Sequence, residues 1–170
     1  MTPAWYVLHT KSRFENVVHE GLVRKSLEVF LPRVRVRSRR RDRRQTIEVP
    51  LFPGYVFVKS SLHPSQHLDI LKTSGAVRLI GTREGPVSVP AETIQSLRIM
   101  VSTDEPLATG HRFKKGDRVI VVNGPLSGVI GHFERYKGQG RVVVNIDALG
   151  QFASVSVDEA DVEKCPYVLG

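Results

Sequence analysis

Residues 113–131 read FKKGDRVIVVNGPLSGVIG, and this stretch decides the fold of the C-terminal half. A Gly-Asp pair precedes an alternating run, Arg118-Val119-Ile120-Val121-Val122, which ends at a Gly124-Pro125 corner and is followed by Gly128 and Gly131. Glycine admits backbone angles and close approaches that other residues resist, so this spacing predicts a strongly bent small β-barrel and no helix. Working outward from it, four short strands are expected at about 118–122, 128–135, 141–146 and 152–157, with Lys137-Gly138-Gln139-Gly140 turning the second into the third. Val142-Val143-Val144 and Ile146 give that sheet a β-branched core.

Upstream, residues 102–111 (STDEPLATGH) are polar, hold Pro106 and Gly110, and lack periodicity, which reads as a linker. Residues 1–103 read as an α/β domain. Trp5-Tyr6-Val7-Leu8 is a short apolar strand. Ser12 followed by Glu15 has capping-box spacing, and Phe14, Val17, Val18, Leu22 and Ser26 fall on one face of a helix over about 12–27. Val29-Phe30-Leu31 is extended. Arg33-Val34-Arg35-Val36-Arg37 alternates as a strand with one arginine face, and Thr46-Ile47-Glu48-Val49 is its return strand. A strand at Tyr55-Val56-Phe57-Val58, a short helix at 66–72, a strand at 77–80 and a helix after Pro90 complete the domain.

Charge is concentrated. The chain carries +8, and residues 33–44 hold eight arginines against Asp42, a local +7 that leaves +1 for everything else. Such a device favours polyanionic partners, because guanidinium groups bind phosphate bidentately and stack on bases. A solvated hairpin tip is the plainer reading of the same run. Cys165 is the only cysteine, which excludes an internal disulfide and a cysteine cluster for zinc. The six histidines are scattered without ligand spacing, and no nucleophile–base set, P-loop or dinucleotide fingerprint occurs. No catalytic residue, metal ligand or cofactor is expected. No apolar run reaches the roughly 18 residues of a membrane helix, and the N-terminus lacks the order of a secretory signal, so a cytoplasmic home is expected.

The 113–131 pattern resembles the KOW motif of ribosomal proteins and transcription elongation factors, and alone it leaves those two classes open. The chain as a whole resembles the NusG family of transcription factors. Trp5-Tyr6-Val7, Phe14-Glu15-Asn16, Pro50-Leu51-Phe52-Pro53-Gly54-Tyr55-Val56-Phe57-Val58, Thr73-Ser74-Gly75-Ala76-Val77 and the KOW segment occur in the family's order. The resemblance implies an α+β chain: a sandwich-like N-terminal domain with a central antiparallel sheet (1–103, basic hairpin about 33–49), a flexible linker (104–112) and an SH3-like KOW barrel (113–170). It also implies a monomeric elongation or antitermination factor whose N-terminal domain docks on the clamp helices of RNA polymerase. Trp5, Phe52, Pro53, Tyr55 and Phe57 are the residues expected to form that docking surface, with burial of the aromatic strand in the core as the plainer alternative.

Arg37, Arg39, Arg40, Arg41, Arg43 and Arg44 are expected to hold DNA or nascent RNA beside the transcription bubble. Leu126, Phe133, Arg135 and Phe152 are expected to meet the barrel's partner, a termination factor or a small-subunit ribosomal protein. Phe30-Leu31-Pro32 and Pro86-Val87-Ser88-Val89-Pro90 look like the specialised, operon-dedicated branch of the family, whereas Gln66-His67-Leu68-Asp69 departs from that branch's threonine-rich second contact. A ribosome-associated or free RNA-binding KOW protein is the alternative function. It explains the charge and the barrel but gives no role to the ordered α/β half.

Overall fold

The computed structural model describes residues 2–37, 46–111 and 116–165. The chain divides into two units, residues 1–89 and 90–170.

In the first unit the elements run β1 (Ala4–Thr10), α1 (Glu15–Arg24), β2 (Glu28–Phe30), β3 (Arg33–Arg37), β4 (Thr46–Pro50), β5 (Tyr55–Ser60), α2 (Pro64–Leu71), β6 (Ala76–Leu79), β7 (Gly81–Thr82) and β8 (Gly85–Pro86). Four of the strands form an antiparallel sheet in the order β2-β5-β1-β6. Alternation along β5 sorts its side chains as expected. Val56 and Val58 join Leu8, Val18, Leu22, Leu27, Leu31 and Ile70 in one buried cluster, which seats α1 and α2 against that face. Phe57 points to the opposite face, where Phe30 and Phe52 lie beside it, with ring centroids 5.9 and 6.4 Å away.

Helix α1 is shorter than its sequence pattern. It starts at Glu15, and Phe14 occupies the N-cap position without a side-chain cap, so the Ser12–Glu15 capping box does not form. Val18 and Leu22 are buried, but Phe14 and Val17 are 38% and 46% exposed, and Ser26 lies beyond the helix at φ 63°. The reason is Glu15 itself. Its carboxylate is buried and accepts a hydrogen bond from the Gly54 N–H at 3.2 Å, which ties the helix start to the turn before β5.

The second unit begins with α3 (Ala91–Ser102), capped by Pro90, with Ile94, Leu97 and Met100 buried. The stretch read as a linker over 104–112 instead contains β9 (Leu107–His111), paired antiparallel with β13 (Gln151–Ser156). Polar composition misleads here because an edge strand satisfies its backbone on one side only and tolerates Ala, Thr and Gly facing water. Around β9 the sheet runs β14-β10-β11-β12-β13-β9, with β10 (Arg118–Val121), β11 (Ile130–Tyr136), β12 (Gln139–Ile146) and β14 (Val162–Lys164). The corner after β10 is closed by hydrogen bonds from Gly128 N to Val121 O and from Val121 N to Val129 O. Gly124 and Gly128 sit at φ 82° and 97°, where a side chain would be strained. Helix α3 belongs to this unit. The buried Ser96 hydroxyl accepts from the Ile130 N–H at 2.9 Å, and Glu92 pairs with Arg118.

Candidate functional site

The turn entering β5 and the base of the β3–β4 hairpin carry the first candidate surface. Leu51 N donates to Pro32 O at 2.8 Å and closes the hairpin's root, while Phe52 is 1% exposed and anchors the turn from beneath. Pro53 is left exposed at the apex. Tyr55, half-buried, lies beside His9 of β1 with centroids 5.3 Å apart. The five residues expected to dock therefore separate. Trp5 (6%), Phe52 and Phe57 (0%) are interior, so they are corrected from contact residues to supports. The period-2 pattern could not reveal this, because both faces of β5 are covered and an aromatic strand reads alike in either setting. Only Pro53 and Tyr55 stay reachable, with His9, which the sequence reading passed over, completing the patch.

The hairpin is the second surface. In its register Arg35 faces Glu48 and Arg37 faces Thr46, so one side carries Arg33, Arg35 and Arg37 and the other Val34, Val36, Ile47 and Val49. Val36 and Ile47 are 39% and 45% exposed. Arg33 is pinned to α1 by a 2.8 Å hydrogen bond from its Nη2 to Asn16 Oδ1, and Arg35 lies 3.9 Å from Glu48 in a solvent-exposed pair. Arg37 is exposed, whereas Arg39, Arg40, Arg41, Arg43 and Arg44 lie outside the described residues.

Beside this root, His19 of α1 has its pKa held below the ordinary 6.5, first by burial and then by the nearby Arg33, against a smaller opposing effect of Glu20. A depressed histidine stays neutral in the folded chain while the unfolded chain takes up protons near 6.5. Its stabilising contribution is therefore full above that value and declines as pH falls below it. His19→Gln is expected to flatten this slope in urea titrations between neutral and mildly acidic pH. An unchanged slope would exclude the histidine as its source.

The four barrel residues do not form one patch. Leu126 is 6% exposed and fills the corner after β10, a correction that follows from the tight Gly124–Gly128 turn drawing it inward. Phe133 and Arg135 line one cavity together. Phe152 lies on the other face of the sheet, where the Arg141 guanidinium sits 5.6 Å from its ring and 4.8 Å from that of Tyr136. Arg141 is held there by Glu134 and Ser154. Tyr136, 52% exposed at the end of β11, is a surface aromatic that turn composition alone did not single out. Among the described residues no group of three or more His, Cys, Asp or Glu side chains is placed to hold a metal ion, and no helix is long and apolar enough to cross a membrane.

With this geometry in place, comparison with known proteins assigns the class. The family model described as "Transcription termination factor nusG" matches residues 3–98, and the chain belongs to the NusG family. It is 25% identical to the transcription termination/antitermination protein NusG of Borreliella burgdorferi, over 96% of this chain and 100% of that protein. It is 26% identical to the protein of the same name from Thermus thermophilus, with the same coverage of both chains. A solved structure titled "Domain interaction in Thermotoga maritima NusG" shares the fold, with a TM-score of 0.55 at 21% identity over 98% of this chain and 99% of that one.

Proposed function

We propose that this chain is a transcription elongation and antitermination factor that acts by binding and not by catalysis. The N-terminal unit docks on the clamp helices of RNA polymerase through Pro53 and Tyr55, with His9 beside them. The arginine hairpin holds upstream DNA or nascent RNA, and the KOW barrel recruits a further factor, a termination factor or a small-subunit ribosomal protein. Full-length similarity to proteins named for termination and antitermination supports this reading.

The observation that carries it is the rigid presentation of Pro53 and Tyr55. A buried carboxylate from α1 holds the backbone of Gly54, and a buried ring supports the turn from below, so the exposed pair is preorganised. Preorganised contacts bind well because little ordering entropy is lost on association. A protein that grips the clamp shifts its open–closed equilibrium only by the difference in affinity for the two states, so processivity follows from tighter binding to the closed one.

Binding of the full chain to core RNA polymerase tests the proposal. Tyr55→Ser is expected to weaken binding on the order of tenfold or more, the loss typical of a central aromatic anchor. Arg35→Gln on the hairpin should leave most of that protein contact in place. Undiminished binding by a folded Tyr55→Ser chain would refute the docking surface and turn attention to ribosomal or free RNA.

A further inference from the structure

The cavity that contains Phe133 has a chemistry of its own. It encloses about 340 Å³ between the β11–β12 turn and the segment after β13, and its lining includes Phe133, Arg135, Gly138, Gly140, Asp158 and Glu159. Phe133 is half-buried, and its ring lies so close to Gly140 that a Cβ built there would stand 3.0 Å from it. Gly138, at φ 77°, turns β11 into β12 beside the cavity, and a Cβ built there would meet nothing within 4 Å. Gly140 thus keeps a side chain away from the Phe133 ring, which lines the cavity.

Around that ring two carboxylates face one guanidinium, a net charge of −1. Asp158 and Glu159 stand on the rim, and Arg135, the cation of the lining, is paired with Glu159. The Asp158 carboxylate accepts from Ala160 N at 3.1 Å through one oxygen, Oδ1. A half-buried aromatic ring lining a cavity with one excess carboxylate suits a side chain with a long apolar stem and a cationic head. The same carboxylates repel phosphate, which separates this cavity from the arginine hairpin in the class of ligand it accepts.

We infer that the cavity is a receptor for a lysine or arginine side chain presented by a basic protein segment, and that this is where the barrel reads its recruited partner. The inference rests on the proposal that the barrel recruits a protein factor, and it names the chemistry of that contact. The ammonium or guanidinium sits over the Phe133 ring, its stem runs along Gly138 and Gly140, and Asp158 with Glu159 supplies the counter-charge.

The test is a nuclear magnetic resonance titration of the isotope-labelled full chain, at near-physiological ionic strength, with acetyl-Gly-Arg-Arg-Gly-amide. The glutamine peptide acetyl-Gly-Gln-Gln-Gly-amide, made with glutamine in place of both arginines and the following residues unchanged in number, is the control. Saturable shifts confined to the amides of Gly138, Gly140 and Val157 are expected for the arginine peptide and not for the control. Phe133→Leu keeps an apolar side chain but removes the π face, and should weaken the affinity about fivefold. Asp158→Asn combined with Glu159→Gln leaves the hydrogen bond to Ala160 possible, and should weaken it about tenfold.

Equal shifts with the glutamine peptide, or an arginine affinity untouched by both variants, would overturn the inference. Displacement of the peptide by a short oligonucleotide that shifts the same amides would overturn the assignment to a protein ligand. Spectra unchanged away from the cavity establish that each variant is folded. No polymerase enters this titration, so its failure leaves the Tyr55 contact standing, and loss of the Tyr55 contact leaves the titration unaffected.

Discussion

Phe57→Ala is expected to cost the first unit about 3–5 kcal/mol, the range for deleting a fully buried phenylalanine ring. The residue is wholly inaccessible, stacked on Phe30 and met edge-on by Phe52, so the truncation removes two aromatic contacts and leaves a cavity that the sheet backbone cannot collapse to fill. A domain of this size holds only about 5–15 kcal/mol in total, and most of that margin would go. Trp5, the chain's one tryptophan, is buried in the same unit, so its fluorescence in a urea titration reports this unit alone. A loss below about 1 kcal/mol would show that the ring is not part of the core. The result matters for function as well. A polymerase-binding defect in any variant of Phe57 would report a damaged fold, whereas Tyr55, half-buried on the same strand, can be changed without opening the core.

The second large effect concerns charge. Replacing Arg37, Arg39, Arg40, Arg41, Arg43 and Arg44 by glutamine removes six of the eight arginines that carry nearly all of the net charge. If each meets a phosphate, the slope of log affinity against log salt for duplex DNA should fall by about five, and affinity at low salt by about a hundredfold or more. The loss should be equal for two duplexes of unrelated sequence, because phosphate contacts carry no base information. Fluorescence anisotropy with labelled duplexes measures both quantities. A slope unchanged by the substitution would place nucleic-acid binding elsewhere or nowhere, and a loss confined to one duplex would mean that the hairpin reads bases.

Much of the fold was legible in the residues. The alternation of β3, the glycine spacing of the barrel and the proline before α3 each translate local chemistry directly into local structure, and those elements occur where they were expected. The strands β9 and β14 and the small β7–β8 pair were not legible, since short edge strands carry little hydrophobic pattern and owe their existence to a neighbour's unpaired backbone. Glu15 shows the same limit in one residue. Its spacing from Ser12 matched a local cap, yet a partner 39 residues away claimed the carboxylate. The candidate surfaces were legible in kind but not in detail. Pattern could place Tyr55 and Phe57 on one face, but only packing reveals that one is reachable and the other sealed. Likewise Phe133 and Arg135 share a cavity while Phe152 lies across the sheet, a division set by the pairing register: Phe133 is opposite Val142 and Phe152 opposite Asn145, on opposite faces of β12.

The two-stranded ribbon β3–β4 has a consequence for how salt acts on this protein. A lone pair of strands is marginal in water, and this one sets three arginines along a single side, about 7 Å apart at the rise of an extended chain. Their mutual repulsion works against the pairing, and Glu48 opposite Arg35 relieves only part of it. Added electrolyte screens that repulsion and firms the empty ribbon, while the same electrolyte competes with a polyanion for the arginines and loosens the complex. Ionic strength therefore acts with opposite sign on the ribbon and on the proposed complex, in which a nucleic-acid strand laid along the arginines would serve as counterion to the ribbon as well as its ligand.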